Sequence, residues 1–443
     1  MTQDALQTDY RSILRLALPV SAGTFMQFLV VLTDNYFLSR TSDVALNGAG
    51  NAGVLYITLA MIGAGFCNTG QILIARRLGE GRMEQTLSIL STGLRVAGVV
   101  GLCLVLFVAL GLQAGFVGVF RDGETGRVFA EFMGIRKWGY LPSFLVMMLN
   151  AFFMGTARSR ILMWAMITTG TVNVIGDALL IEGTTWIPAM GARGAAWASL
   201  AAESTGLLVL IGHAVRHHGQ AVWASSLLAW EPLRGWFQLA APMVAQLTLT
   251  LGTWSLFFFL VEQVGVLELK VSHIARNFFM LAFVVSQGVQ QTTRTFVSGL
   301  LGAGRQEELH GVMRRLFIVN LCGIFLIAHG GLFYPSLLAS PFFEDAAGLE
   351  AAARTLPVIF FAMLIYSGSS VMLSTIQGSG HTRPALVIEV SALVVYTALA
   401  VTLTLIHPQP VWRIWWVEWS YFSGIGLGSA LFLLRWDWKS KVL

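Results

Sequence analysis

Charged residues are scarce in this chain. Asp, Glu, Lys and Arg make up 12% of it, about half the ~25% usual for soluble domains, which excludes a water-facing globule. Cysteine is scarcer still: Cys67, Cys103 and Cys322 each sit in an apolar run with no second Cys or His at ligand spacing. A disulfide framework and a Cys/His metal site are therefore not expected. The chain also lacks HExxH, GxSxG in a strand–turn–helix setting, a GxxxxGK[ST] phosphate loop and a GxGxxG dinucleotide loop. Neither an enzyme nor an ATP-driven pump is expected, and no cofactor beyond a coupling ion. The formal net charge of +5 would suit nucleic acid, but in so apolar a chain it is explained by basic loops at one membrane face. No nucleic-acid partner is expected.

What is abundant is hydrophobicity, at 56% of residues with a mean hydropathy of +0.70. Apolar runs long enough to cross a bilayer as helices recur from end to end. They are continuous rather than alternating, which excludes a barrel. Twelve spans are read at about 12–38, 47–75, 88–118, 130–155, 160–181, 190–214, 235–262, 270–300, 312–338, 354–377, 384–406 and 411–435. The first run is too long for a signal-peptide core and leads into Asp34-Asn35, so it is read as a retained span. The polar stretch from Arg216-His217-His218 to Glu231-Pro232 divides the chain into 1–214, a cytoplasmic linker at 215–234, and 235–443. Sixteen Lys and Arg residues fall in the termini and the loops after even-numbered spans, against seven in the opposite loops. Both termini are therefore expected in the cytoplasm, with the chain in a bacterial inner membrane.

An internal repeat organises the spans. Pro19 recurs as Pro242, Leu78-Gly79-Glu80-Gly81-Arg82 as Leu301-Gly302-Ala303-Gly304-Arg305, and Gly155-Thr156-Ala157-Arg158 as Gly378-Ser379-Gly380-His381; 242 − 19, 301 − 78 and 378 − 155 all equal 223. The expected fold is all-α, with twelve transmembrane helices in two six-helix lobes. Both lobes enter from the same side, so a pseudo-two-fold axis should run along the membrane normal, a plan used by transporters that alternate access.

Ionisable residues inside spans are costly and mark function by default. Asp34 lies late in span 1. Asn173 and Asp177 are four apart in span 5 and share a helix face. Two acids and an amide oxygen at one depth could bind Na+ or hold one proton between them; the plainer alternative is polar glue between helices. Ser199 could add a hydroxyl, with Glu203 one turn beyond it. In the second half Gln246, Thr248, Thr250 and Trp254 of span 7 could face a cavity. So could His273, Arg276, Asn277 and Arg294 of span 8, while Glu389 stands alone in span 11.

Leu-Ala-Leu-Pro opening span 1, Asp34, Leu-Gly-Glu-Gly-Arg after span 2, Gly-Thr-Ala-Arg-Ser-Arg after span 4 and Gly191-Ala-Arg-Gly-Ala-Ala-Trp-Ala-Ser199 together resemble the multidrug and toxic compound extrusion (MATE) family. The resemblance implies two lobes around a V-shaped cavity and export of organic cations, drugs and dyes in antiport with H+ or Na+, by a monomer in the lipid bilayer. It implies a cation site at Asp34, Asn173 and Asp177, which are metal ligands only if the ion is Na+, with Ser199 and Tyr140 in the same network. One branch adds a Glu in span 7 and an Asp in span 10. Thr250 and Tyr366 stand at those places here, so the pattern is similar to the DinF-like branch and second-half coupling is not expected. The alternative is a lipid-linked precursor flippase of the same superfamily.

Overall fold

Among the described residues, twelve helices of 21 to 37 residues are long and apolar enough to cross a membrane; at ~1.5 Å per residue even the shortest covers a ~30 Å hydrocarbon layer. They are α1 (Tyr10–Thr41), α2 (Asp43–Gly79), α3 (Met83–Gln113), α4 (Gly123–Gly155), α5 (Arg160–Leu180), α6 (Ala192–Val222), α7 (Leu233–Glu262), α8 (Val266–Gly302), α9 (Gln306–Ala328), α10 (Ala346–Gly378), α11 (Thr382–Ile406) and α12 (Val411–Arg435). The computed structural model describes residues 7–115, 118, 120, 122–223 and 230–441, and among them there is no β-strand. The protein is all-helical and multi-pass. Its surface suits lipid: on α3, Val99, Leu102, Leu106 and Leu110 are all exposed, spaced to form one face of the helix, while Leu94, Ala97, Val105 and Val108 are buried.

Helix ends differ from the sequence reading by up to ten residues, and three of the differences have a local cause. Helix α4 begins at Gly123 rather than near 130, because the Asp122 carboxylate caps it, accepting bonds from the Glu124 and Thr125 amides at 3.1 Å each. Those bonds, with one from the Thr125 hydroxyl, hold the Asp122 carboxyl below the usual carboxylate range. Helix α3 ends at Gln113, five residues short of the expected 118, and Gly115 follows at φ +91°. Span 9, expected to reach 338, stops at Ala328. Two short helical turns follow, Gly330–Phe333 and Pro335–Ala339, parted by Tyr334 at φ −145°. Pro335 lacks the N–H a continuing helix needs and opens the next turn instead.

The repeat is written into the backbone. Gly81 and Gly304 share a left-handed φ of +76° and +71°. The next residues close their helices identically: Arg82 N–H donates to the Arg77 carbonyl and Arg305 N–H to the Leu300 carbonyl, both at 2.9 Å. The second pair of loops does the same, Arg158 to Phe153 at 2.7 Å and His381 to Ile376 at 3.1 Å. Each is the six-to-one bond of a helix stop that needs a left-handed residue. Gly380 supplies it at φ +91°, but its counterpart Ala157 adopts φ +57° with a side chain in the way. Ala157→Gly should raise stability by about 1 kcal/mol and Gly380→Ala lower it by about as much, read as opposite shifts in the thermal unfolding of purified protein.

The chain divides into two compact units. One comprises Ala22–Leu78 and Arg82–Ala240; the other comprises Met1–Ser21, Gly79–Gly81 and Ala241–Leu443. Their edges depart from the 1–214 and 235–443 division, and reciprocally: the start of α1 belongs with the second half and the start of α7 with the first. Local contacts explain both. Ser21 Oγ donates to the Val285 carbonyl at 3.3 Å, and Thr8 Oγ1 to Glu308 at 3.0 Å. Trp236 stacks on Phe66 with ring centres 4.4 Å apart and donates its indole N–H to the Phe66 carbonyl at 3.1 Å. Of the expected linker, 215–218 is the last turn of the α-helical part of α6, and 224–229 lie outside the described residues. The core of the second unit is aromatic: Phe257 packs on Trp415, whose indole N–H donates to Ser272 at 3.0 Å.

Candidate cation site and a second polar layer

In the first unit, small residues bring α1, α5 and α6 together. A Cβ on Gly170 would lie 2.7 Å from Met26 of α1, and one on Gly176 would lie 2.8 Å from Ala198 of α6. Such close approach is how helices associate in lipid, where no hydrophobic force drives them together. It carries the Asn173/Asp177 face of α5 into the interior. Asn173 and Asp177 are essentially fully buried, at 1% and 0% exposure. The Asp34 carboxyl reaches both from α1. Asn173 Nδ2 donates to Ser199 Oγ at 3.4 Å. That leaves Asp34 Oδ1, Asn173 Oδ1 and both Asp177 oxygens buried with no hydrogen-bond partner.

Four buried acceptor oxygens without a donor are costly as they stand. They call for a donor or a cation, and the residues present fit a cation or a proton. A hard monovalent cation would take oxygens of this kind, and a proton could be shared between the two acids. Among the described residues no group of three or more His, Cys, Asp or Glu gathers, so a denser carboxylate cage for a divalent ion is not built there.

Beside this site lies an ion pair that the sequence reading did not join. The Arg136 guanidinium of α4 grips both Glu203 oxygens on α6, one at 2.8 Å. Its carbon sits 3.7 Å from the centre of the Tyr56 ring. Tyr56 OH in turn donates to Glu203 at 3.1 Å and bonds Ser143 at 2.9 Å. Gly139, on a short 3-10 turn interrupting α4, makes room: a Cβ there would lie 2.8 Å from Glu203 and 2.9 Å from the Tyr56 hydroxyl. Tyr140 stacks on Tyr56 at 4.4 Å and its hydroxyl reaches the Tyr56 carbonyl at 3.5 Å. The structure thus sets Tyr140 against this ion-pair cluster, and none of its hydrogen bonds goes to Asp34, Asn173 or Asp177.

The second unit holds another polar layer. Glu389 of α11 accepts from Thr250 Oγ1 at 2.8 Å, from Gln246 Nε2 at 3.2 Å and from Tyr421 OH. Gln377 Nε2 donates to Gln246 Oε1 at 2.9 Å, and Arg294 Nη1 to Gln377 Oε1 at 3.2 Å. Gln246, Thr250 and Arg294 therefore belong to one buried chain around Glu389. Other expected cavity residues lie apart from it. His273 stacks on Phe258 at 5.3 Å with Arg276 at 5.2 Å over the same ring, Asn277 is exposed, and Trp254 packs against Phe258 and Phe279.

The MatE family model matches the chain twice, over residues 19–179 and 242–402. The chain belongs to the MatE family. The two matches are displaced by 223 residues at both ends (242 − 19 and 402 − 179), the same interval as the loop motifs and the paired helix stops. MatE proteins are membrane transporters and not enzymes. This MatE chain is 24% identical to "Probable multidrug resistance protein NorM" of Rhizobium meliloti (strain 1021), over 97% of its own length and 93% of the relative's. It is 22% identical to the protein of the same name from Thermotoga maritima, over 85% and 82% of the two chains. In fold it is similar to a structure described as the "Outward-facing conformation of a multidrug resistance MATE family transporter of the MOP superfamily", with a TM-score of 0.87 at 17% identity, covering 98% of this chain and 97% of the other.

Proposed function

We propose that this MatE protein exports lipophilic or cationic small molecules in exchange for H+ or Na+ moving inward, with Asp34, Asn173 and Asp177 binding the coupling ion. The observation that carries this is the set of four buried oxygens on those residues that lack any donor. Ser199 holds Asn173 so that its carbonyl faces the acids, and Tyr140 acts through Tyr56. The two repeats, 1–214 and 235–443 joined by the 215–234 linker, work as lobes of one monomeric transporter in a bacterial inner membrane, both termini cytoplasmic. The multidrug-resistance names of the relatives support drug-like substrates. Ion binding offsets charge on the acid pair, and α1 then repacks on α5 through its contact at Gly170. Repeated entry of the ion at this site drives the substrate out.

The test is efflux of ethidium from everted or reconstituted vesicles, with Na+ and pH gradients imposed separately. Export on one gradient names the coupling ion. No dye movement on either gradient sinks the drug-exporter reading and moves the assay to lipid-linked precursors.

A further inference from the structure

Among the described residues, Glu389 and Glu418 are the two buried carboxylates of the second unit, at 3% and 2% exposure. They form a reciprocal pattern with two tyrosines. Tyr421 of α12 donates to Glu389 of α11, and Tyr396 of α11 donates to Glu418 of α12 at 3.1 Å. The two tyrosine rings meet edge-on at 5.5 Å. Glu389 and Tyr396 are seven apart on one face, and Glu418 and Tyr421 three apart on the other. The acids thus sit at opposite corners of a four-residue layer between two helices.

Every group that bonds this layer is neutral. Helix α7 presents Gln246 and Thr250 to Glu389, and Gln377 of α10 backs Gln246; the neutral Tyr366 hydroxyl lies near Glu389 and accepts from Gln290. The single cation facing it among the described residues is Arg294 of α8, two amide side chains away from Glu389 through Gln377 and Gln246. Two carboxylates against one distant guanidinium leave one negative charge too many in a buried layer. A metal ion is poorly suited to cancel it. Glu389 Oε1, Glu389 Oε2 and Glu418 Oε1 already accept O–H or N–H bonds, unlike the donor-free oxygens around Asp177. A proton needs no vacant ligand position, since a tyrosine hydroxyl that donates to a carboxylate can rotate and accept from a carboxylic acid.

We propose that Glu389 and Glu418, linked by Tyr421 and Tyr396, bind one proton between them and form a second proton site in the C-terminal half, separate from Asp34 and Asp177. With that proton the layer carries one negative charge, balanced by Arg294. Its use as a second coupling proton rests on the antiport reading; the occupancy of the site does not.

The experiment is infrared difference spectroscopy of the intact purified protein across a pH titration. Wild type is compared with Glu389→Gln, Glu418→Gln and the Asp34→Asn/Asp177→Asn double variant. The expected result is one protonated-carboxyl band that survives in the Asp34/Asp177 variant and is lost in Glu389→Gln or Glu418→Gln. Tyr421→Phe and Thr250→Val leave both acids in place and should shift that band, which covers the case in which a glutamine variant does not fold. A wild-type spectrum whose carboxyl bands all vanish with Asp34 and Asp177, or a band that none of the second-half variants loses or shifts, overturns the proposal. Neither result depends on whether any drug is transported, so failure of the exporter reading is recognised separately.

Discussion

Asp34→Asn and Asp177→Asn should each abolish gradient-driven export while leaving a folded, inserted protein. One charge moving through 100 mV is worth about 2.3 kcal/mol, enough to sustain a ratio of roughly 50-fold for an uncharged substrate, while a cationic one exchanged one for one is driven by the ion's concentration gradient alone. Without the acid that carries the ion, the steady-state ratio in proteoliposomes should fall to about one. The fold should tolerate the change because the asparagine amide is the same size and brings N–H donors to a cluster whose four unpartnered atoms are all acceptors. Asp177→Asn is the sharper of the two, since both Asp177 oxygens lack partners whereas only one Asp34 oxygen is among the donor-free four. Size-exclusion profiles and melting curves matching wild type, with export gone, are the expected combination. A variant that keeps a many-fold substrate ratio would remove that acid from the coupling role.

The largest effect on stability should come from the Arg136–Glu203 pair. Its side chains are 11% and 21% exposed, and breaking a buried ion pair by removing one partner costs about 3–5 kcal/mol because the other charge is left stranded. Some residual solvent reaches this pair, so the lower end is expected. Arg136→Gln and Glu203→Gln should each lower the melting temperature of the purified protein markedly, and the double replacement should recover part of the loss. Gly139→Ala should resemble the single replacements, since its methyl would press on Glu203 and the Tyr56 hydroxyl. Single losses that simply add in the double variant would mean the two side chains act independently.

The helices and the repeat were legible because their signals are local. Apolar runs mark the spans, and the glycine loops at a 223-residue interval mark the two halves. Asn173 and Asp177 were legible as a pair for the same reason, being one helical turn apart. Where the reading fell short, the deciding partner lay far along the chain. Arg136 drew no comment inside a span read as starting at 130, because its partner Glu203 is 67 residues away. Glu389 stood alone because Thr250 and Tyr421 are 139 and 32 positions distant. Glu418 escaped notice altogether, lying in a tryptophan-rich stretch where α12 is interrupted between Ile414 and Val417. One signal for it existed: a Glu followed by a Tyr on each of two consecutive helices, an order that crossed pairing between them would match. Tyr140 shows the converse limit, since the resemblance located the residue but packing decided that its hydroxyl meets the Tyr56 carbonyl.

In the proposed mechanism the acids of α1 and α5 tie cation movement to substrate movement. The most direct measurement loads proteoliposomes with substrate and follows the cation with a pH or Na+ indicator while the substrate runs down its own gradient. The account predicts cation flow opposite to the substrate in wild type and none in Asp34→Asn or Asp177→Asn. Substrate movement with no opposing cation in wild type, or undiminished cation flow in both variants, would contradict it.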